Sequence, residues 1–323
     1  MNTRRPKIAV LNAPGAGPWP GLDPLSAEAD VIHGGDEASL APALGDAEIV
    51  VVTDIRTKLL RALWPRAKAL RWIHATSAGV DAIMFPELET SDVLVTNARG
   101  LFDCAIAESV VGMILAFAKD LRTTFELQGA RRWRHRETES VRGQNLLVVG
   151  AGSIGRQIGR YGQGIGLAAT GVARRARDGD PDLGRIHPAD DLPALLPEAD
   201  WVAVAAPLTR HTRGLFDREA FRRMKPGARL INVGRGPIVN TEDLCWALDH
   251  GEIAGAALDV FEEEPLPDTH PLWTRRDVIL TAHMAGDFVG WRQALSDQFI
   301  RLYRQWSAGQ TPSNIVDKPD VAT

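Results

Sequence analysis

The chain is poor in cysteine. Among 323 residues there are two, Cys104 and Cys245. Two thiols cannot staple a chain of this length, and neither lies in a metal-binding spacing, so reduced thiols in a cytoplasmic protein without a metal are expected. A basic excess is missing as well: 37 Lys and Arg stand against 41 Asp and Glu, a formal net charge of −4. A nucleic-acid-binding domain would carry the opposite balance, so no nucleic-acid partner is expected. One basic run exists, Arg131, Arg132, Arg134, His135 and Arg136 around Trp133, but no second cluster supports it, and it reads as a solvated helix end or loop. Long apolar runs are lacking too. The most apolar helical stretch, Val110–Ala118, falls far short of the ~20 residues a membrane span requires. Met1–Lys7 leads straight into Ile8–Leu11 with no signal-peptide pattern. No repeat or low-complexity segment interrupts the chain. No membrane partner follows from any of this.

What the chain does have is alternation. Short apolar runs recur at Ile8–Leu11, Ile49–Thr53, Arg71–His74, Val93–Thr96, Leu146–Val149, Ala169–Val172, Trp201–Ala205, Leu230–Val233, Ala256–Asp259 and Val278–Thr281. Runs that are apolar on both faces suit buried parallel strands, and the segments between them can hold crossover helices. Cys104–Leu121 is one helical candidate. Thr241–His250 is another, with Thr241 as N-cap and Gly251 after its end. The Pro- and Gly-rich stretch Asn12–Pro24 reads as a surface loop. Single cores stop growing near ~250–300 residues, so two domains are expected.

The sequence Leu146-Leu147-Val148-Val149-Gly150-Ala151-Gly152-Ser153-Ile154-Gly155 places G-x-G-x-x-G between a strand and a helix. Gly150 permits the tight turn, Gly152 lets backbone approach a pyrophosphate, and Gly155 lets helix and strand pack closely. A dinucleotide would then sit on a helix N-terminus. The turn comes after some four strands, which points to a separate α/β domain before it. After the next strand an NAD site places an acid on the ribose 2′-hydroxyl. Here the residues are Ala173-Arg174-Arg175. Guanidinium groups match a 2′-phosphate in charge and fork geometry, so NADP is the expected cofactor. NAD remains the alternative, with Asp178 or Asp180 reaching the ribose.

Three later segments carry polar groups at predicted strand ends, where open α/β sheets bind ligands. They are Asn232-Val233-Gly234-Arg235-Gly236, Asp259-Val260-Phe261-Glu262-Glu263-Glu264-Pro265, and Thr281-Ala282-His283-Met284-Ala285-Gly286. An arginine to hold a carboxylate, a histidine to donate a proton and a carboxylate to orient that histidine suffice for hydride chemistry on a 2-oxo acid. Singly, each has a bland reading as a structural histidine or a solvated acidic loop.

Together with Pro207-Leu208-Thr209, His211-Thr212 and Met224-Lys225-Pro226-Gly227, these motifs follow one another in a known order. Over nearly its whole length the chain resembles the D-2-hydroxyacid dehydrogenases, nearest the NADP-dependent glyoxylate/hydroxypyruvate reductase branch. The resemblance implies that Arg235 binds substrate, that His283 is the general acid and that Glu264 hydrogen-bonds His283 and favours its charged form. It implies cofactor contacts at Gly150, Gly152, Ser153, Ile154, Gly155, Arg174, Arg175, Pro207, Thr212, Val233 and Gly234, with Asp259 near the nicotinamide. Ser77-Ala78-Gly79, after the strand Trp72-Ile73-His74, resembles the loop whose N–H groups bind the substrate carboxylate, with a hydroxyl from Ser77. Trp291, Phe102 and Met284 are candidates to line the substrate's side-chain pocket or simply to pack.

The family usually has proline before the catalytic histidine. Here Ala282 stands there, which leaves a looser His283 loop as the expectation. The implied fold is α/β, with two Rossmann-like or flavodoxin-like doubly wound domains and a cleft between them. Residues 1–97 and 286–323 would form the substrate-binding domain, and residues 98–285 the dinucleotide-binding domain. The tail Asp287–Ser307 would return to the first domain as a helix. A homodimer, joined partly through the Cys104–Leu121 helix, and a small 2-oxo acid substrate are implied. A rival reading is a non-catalytic dinucleotide-sensing protein, as in the family's corepressors.

Overall fold

The computed structural model describes residues 5–54 and 58–318. Of the N-terminal segment Met1–Lys7, the first four residues lie outside them. The chain divides into two compact units, Met1–Leu101 with Phe288–Thr323, and Phe102–Asp287.

The first unit is built on five parallel strands: β1 (Lys7–Leu11), β2 (Asp30–Gly34), β3 (Ile49–Val52), β4 (Trp72–Ala75) and β5 (Leu94–Thr96). Their order is β2-β1-β3-β4-β5, the flavodoxin-like winding. Alternation sends successive residues into two different cores. Ala9, Leu11, Val50, Val52 and Ile73 pack into one. Ile8, Val10, Ile49, Val51 and Trp72 pack into the other, which is completed by Phe299, Ile300, Leu302 and Tyr303 of the C-terminal helix. Both faces are therefore covered, as a parallel sheet requires. Each fully buried aliphatic side chain contributes about 1.5–3 kcal/mol. That helix spans Trp291–Ser307 rather than starting at Asp287, because Gly290 at φ +89° breaks the run before it.

The second unit carries β6 (Asn145–Val149), β7 (Ala168–Ala173), β8 (Arg177–Asp180), β9 (Gly184–Pro188), β10 (Trp201–Val204), β11 (Arg229–Asn232), β12 (Gly255–Leu258) and β13 (Val278–Leu280). The order is β13-β12-β11-β10-β6-β7-β9-β8. All pairs are parallel except β8 with β9. The order reverses beside β6, the strand that feeds the glycine turn, and a Rossmann sheet binds its dinucleotide at such a switch point. Leu147, Val149, Val202 and Val204 face one core, and Leu146, Val148, Trp201 and Ala203 the other.

All ten expected strands are present. Three more were not expected: β2, β8 and β9. They lie at or next to sheet edges and are largely polar, so they carry no two-sided apolar run. The Cys104–Leu121 helix is really Asp103–Ala118. Asp120 turns left-handed at φ +46° and caps a second helix, Leu121–Gly129, by accepting from the Thr123 N–H. The expected N-cap Thr241 is also corrected. Asn240 holds the extended cap conformation and its side chain accepts from the Asp243 N–H, so Thr241 is the first helical residue. No helix among the described residues is long and apolar enough to cross a membrane.

Candidate active site

The carboxyl edge of the second sheet gathers the glycine turn and the Val233–Arg235 segment. Gly150 has φ +108°, and a Cβ there would lie 2.5 Å from the Ala206 nitrogen. Across the strand top, a Cβ at Gly234 would lie 2.8 Å from the Ala206 oxygen. The backbone of Ala206, which leads into Pro207, is thus wedged between the two. Thr212 closes the Pro207 loop by donating to the Pro207 carbonyl at 2.7 Å.

Gly155 is demanded by the protein itself, since a Cβ would stand 1.8 Å from the Gly150 oxygen. Gly152 is different. A Cβ there meets nothing within 4 Å. Gly152 is the N-cap of the helix Ser153–Gly164, and no side chain caps that helix. The first-turn N–H groups of Ser153, Ile154 and Gly155 have no intrahelical acceptor. Open space in front of uncapped N–H groups fits a pyrophosphate, the group a dinucleotide presents there.

At the end of β7, Arg174 and Arg175 are exposed, and Arg177 donates to the Ala151 carbonyl of the glycine turn at 3.3 Å. The two alternative acids differ in how far they are committed within the protein. The Asp180 side chain is 3% exposed and pairs with Arg156 at 2.9 Å, while its other oxygen accepts from the N–H groups of Asp182 and Leu183. Asp178 points to solvent opposite Arg185.

Asn232, at the end of β11, shapes the next segment. Its side chain accepts from the Gly234 N–H at 3.1 Å and donates to the Arg235 carbonyl at 3.0 Å. The Arg235 turn then packs flush on the chain before Glu264: a Cβ on Gly236 would lie 1.9 Å from the Phe261 carbonyl carbon. Glu264 accepts from the Phe261 N–H through Oε1 at 3.0 Å and from His283 Nδ1 through Oε2 at 2.7 Å. Burial pushes the Glu264 carboxyl up. The hydrogen bonds from His283 and Phe261, with the charges of His283 and Arg235, outweigh that and hold it below its ordinary range. The structure thus brings Arg235, Glu264 and His283 together.

His283 has φ +52°. Its turn is tied down by Asp259, which is 3% exposed and follows β12. Asp259 Oδ1 accepts from Thr281 Oγ1 at 2.6 Å and the Met284 N–H at 2.9 Å; Oδ2 accepts from the Ala285 N–H at 3.0 Å. The Asp259 carbonyl takes the His283 N–H at 2.8 Å. The turn carries four hydrogen bonds to one residue, none of them made by Ala282. Sequence reasoning missed the work of Asn232 and Thr281. An Asn two residues before a glycine is a turn signal that could have found the first.

In the first unit, the turn after β4 directs its carbonyls inward. Ser77 O accepts from the Ala98 N–H, Ala78 O from Asn97 Nδ2 at 2.5 Å, and Gly79 O from Ser77 Oγ at 2.6 Å. The N–H groups of Ser77, Ala78 and Gly79 have no acceptor among the described residues. Successive free N–H groups form an anion-binding concavity. The Ser77 hydroxyl is already engaged within the turn.

A Rossmann unit with a dinucleotide-ready glycine turn, an arginine and a carboxylate–histidine pair defines an NAD(P)-dependent oxidoreductase. Residues 111–285 match the family model described as D-isomer specific 2-hydroxyacid dehydrogenase, NAD binding domain. The chain is 32% identical over 286 residues to a glyoxylate reductase of Thermofilum pendens, covering 84% of this chain and 81% of that one. It is 30% identical over 288 residues to a glyoxylate reductase of Thermococcus litoralis, covering 86% and 85%. The structure of a D-isomer specific 2-hydroxyacid dehydrogenase from Xanthobacter autotrophicus Py2, in complex with NADPH and MES, superposes with a TM-score of 0.84 at 28% identity, covering 98% of this chain and 100% of that one. The chain belongs to the D-isomer specific 2-hydroxyacid dehydrogenase family.

Proposed function

We propose that the protein reduces a small 2-oxo acid, of the glyoxylate or hydroxypyruvate kind, to the D-2-hydroxy acid with NADPH. The observation that carries this reading is the His283–Glu264 contact. It spends Nδ1 on the carboxylate and leaves Nε2 for a substrate oxygen. The glyoxylate reductases among its relatives support the substrate class. Arg174 and Arg175, with Asp180 committed to Arg156 and two backbone N–H groups, support NADP over NAD.

In this reading Arg235 pairs with the substrate carboxylate and draws electron density from the adjacent carbonyl. The N–H groups of Ser77, Ala78 and Gly79 are carboxylate donors. His283 passes its Nε2 proton to the carbonyl oxygen as that oxygen gains charge, and takes it back in the reverse direction. Glu264 stabilises the charged imidazole and holds its plane. Gly150, Gly152, Ser153, Ile154 and Gly155 hold the pyrophosphate, with Pro207, Thr212, Val233 and Gly234 beside the rest of the dinucleotide. When bound, the nicotinamide supplies the hydride. A homodimer is part of the same proposal.

Steady-state kinetics with NADPH and NADH against a panel of 2-oxo acids tests it. The expected result is turnover of glyoxylate or hydroxypyruvate with NADPH preferred. No turnover of any acid would overturn the catalytic reading; turnover confined to bulky acids would overturn the substrate class.

A further inference from the structure

We propose that Asn314 is a positioning residue for the turn at residues 77–79, so that the C-terminal segment 314–316 is a working part of substrate binding. This rests on the reading of that turn as the site of the substrate carboxylate.

In a trans peptide the N–H points opposite to the carbonyl of the residue before it. Whatever holds the Ser77 carbonyl inward therefore aims the Ala78 N–H outward, and whatever holds the Ala78 carbonyl aims the Gly79 N–H. The two holders are neighbours in sequence. The Ala98 N–H donates to the Ser77 carbonyl at 2.9 Å, and Asn97 Nδ2 donates to the Ala78 carbonyl at 2.5 Å. Both follow β5, the edge strand of its sheet. An edge strand leaves backbone groups unpaired on its outer side. The C-terminal segment takes them. The Val316 N–H donates to the Val95 carbonyl at 2.9 Å, Ile315 bridges Thr96 antiparallel, and the Asn97 N–H donates to the Asn314 carbonyl at 3.2 Å.

Asn314 carries the contact past the end of the strand. It sits at φ +65°, a conformation that asparagine visits more readily than most residues with a Cβ. From there its Nδ2 donates to the Asn97 carbonyl at 3.3 Å and to the Arg99 carbonyl at 3.0 Å. The Asn97 side chain is set by the same stretch, because its Oδ1 accepts from the Arg99 N–H at 3.3 Å. One amide thus fixes both ends of residues 97–99, and these residues aim two of the carboxylate donors.

Asn314→Gly keeps the left-handed backbone and the carbonyl that serves Asn97, and removes the two side-chain bonds. A neutral hydrogen bond is worth about two- to tenfold in an equilibrium, so KM for the 2-oxo acid should rise by about that factor. Binding that is equal in ground and transition states changes KM and leaves kcat alone, so kcat and the Kd for NADPH should stay within about twofold. Oxamate is a 2-oxo acid isostere without a reducible ketone. Its Kd on the NADPH-loaded protein, read by calorimetry, should rise as KM does. Combined with Asn97→Ala, the effect on KM should be smaller than the product of the two single effects, since the path runs through Asn97. A lower Tm with KM and oxamate Kd unchanged would make Asn314 structural only and overturn the proposal, and so would single effects that simply multiply.

Two further measurements do not depend on that variant. Coupling is reciprocal, so saturating oxamate should slow hydrogen exchange at the Asn97 and Val316 amides of the wild-type protein. Unslowed exchange at both would overturn the proposal even if Asn314→Gly does not fold. Ala78→Pro removes a donor from the turn itself. If it leaves KM and oxamate binding unchanged, the turn does not hold the carboxylate and the reading beneath falls. If it weakens both while Asn314→Gly weakens neither, the positioning role alone falls.

Discussion

His283 Nδ1 lies 2.7 Å from Glu264 Oε2, while the Phe261 N–H holds the other oxygen of the same carboxylate. The acid cannot swing away, so the imidazole is oriented by a group that is itself oriented. Glu264→Gln keeps the length and removes the charge. Its amide group must either break from the Phe261 N–H or present NH2 to Nδ1, and the charged imidazole loses its counter-ion. General acid–base catalysis by a positioned side chain is worth about 10²–10⁴-fold, so kcat should fall within that range. Cofactor Kd, measured by nicotinamide fluorescence, should stay the same. A fall below about threefold would mean that Glu264 packs beside the histidine without serving it.

Cofactor choice turns on which groups remain for the adenosine ribose. Asp180 is consumed by Arg156 and two backbone N–H groups, and Asp178 faces Arg185. Arg174 and Arg175 follow β7 directly. A hydrogen bond to a charged group is worth about 1.5–3 kcal/mol, or roughly ten- to hundredfold in affinity. Arg174→Ala and Arg175→Ala should each raise the Kd for NADPH by an amount of that order, with NADH affected far less. Equal losses for both cofactors, read by titration calorimetry, would refute a 2′-phosphate role.

Which parts were legible in the sequence follows from how each is built. Strands buried on both faces announce themselves, as Ile49–Val52 and Trp201–Val204 do, because every residue must be apolar. Edge strands such as Arg177–Asp180 escape, since nothing demands apolar side chains there. Gly150, Arg235 and His283 do stand after strand ends, as expected, but their roles were assigned by the family resemblance and not by position alone. The hydrogen bonds that fix the His283 turn were not legible. Asp259 and Thr281 are 22 positions apart. Nothing local to either says that one carboxylate would collect three donors; only the parallel pairing of β12 with β13 brings them side by side. The N-cap error at Thr241 has a simpler cause. Asn240 and Thr241 are both good caps, and the choice depends on which backbone is extended.

His74 stands in the core of the first unit, fully buried, with Nδ1 2.9 Å from Thr96 Oγ1 and Nε2 without a hydrogen-bond partner among the described residues. Burial pushes its imidazole down from 6.5 to about 3. The unfolded chain therefore binds a proton that the folded one refuses. The stability tied to this group is complete above about 6.5 and is lost as pH falls toward about 3, at up to about 1.4 kcal/mol per pH unit. His74→Phe, among Trp72 and Phe299, removes the titration. Urea unfolding at stepped pH should show wild-type stability falling more steeply than that of His74→Phe across the window. Parallel curves would refute the assignment.

The basic run expected to be a helix end or loop follows the end of the helix Leu121–Gly129 and is anchored at its far side. Arg136 pairs with Asp120 at 3.2 Å, Glu139 with Arg229, and Lys119 Nζ donates to the Glu139 carbonyl at 2.5 Å. Trp133 is 94% exposed, and Phe125 of the preceding helix is 64% exposed. A tethered arm loses little freedom when it docks, and an exposed tryptophan gains most from being covered. In the proposed homodimer, Trp133 would serve as an anchor between copies. Tryptophan anchors commonly cost at least about 2 kcal/mol when truncated, close to thirtyfold in Kd. Trp133→Ala should shift the protein from dimer toward monomer at micromolar concentration, read by light scattering after size exclusion. A wild-type monomer, or a dimer indifferent to Trp133→Ala, would remove the arm from the interface.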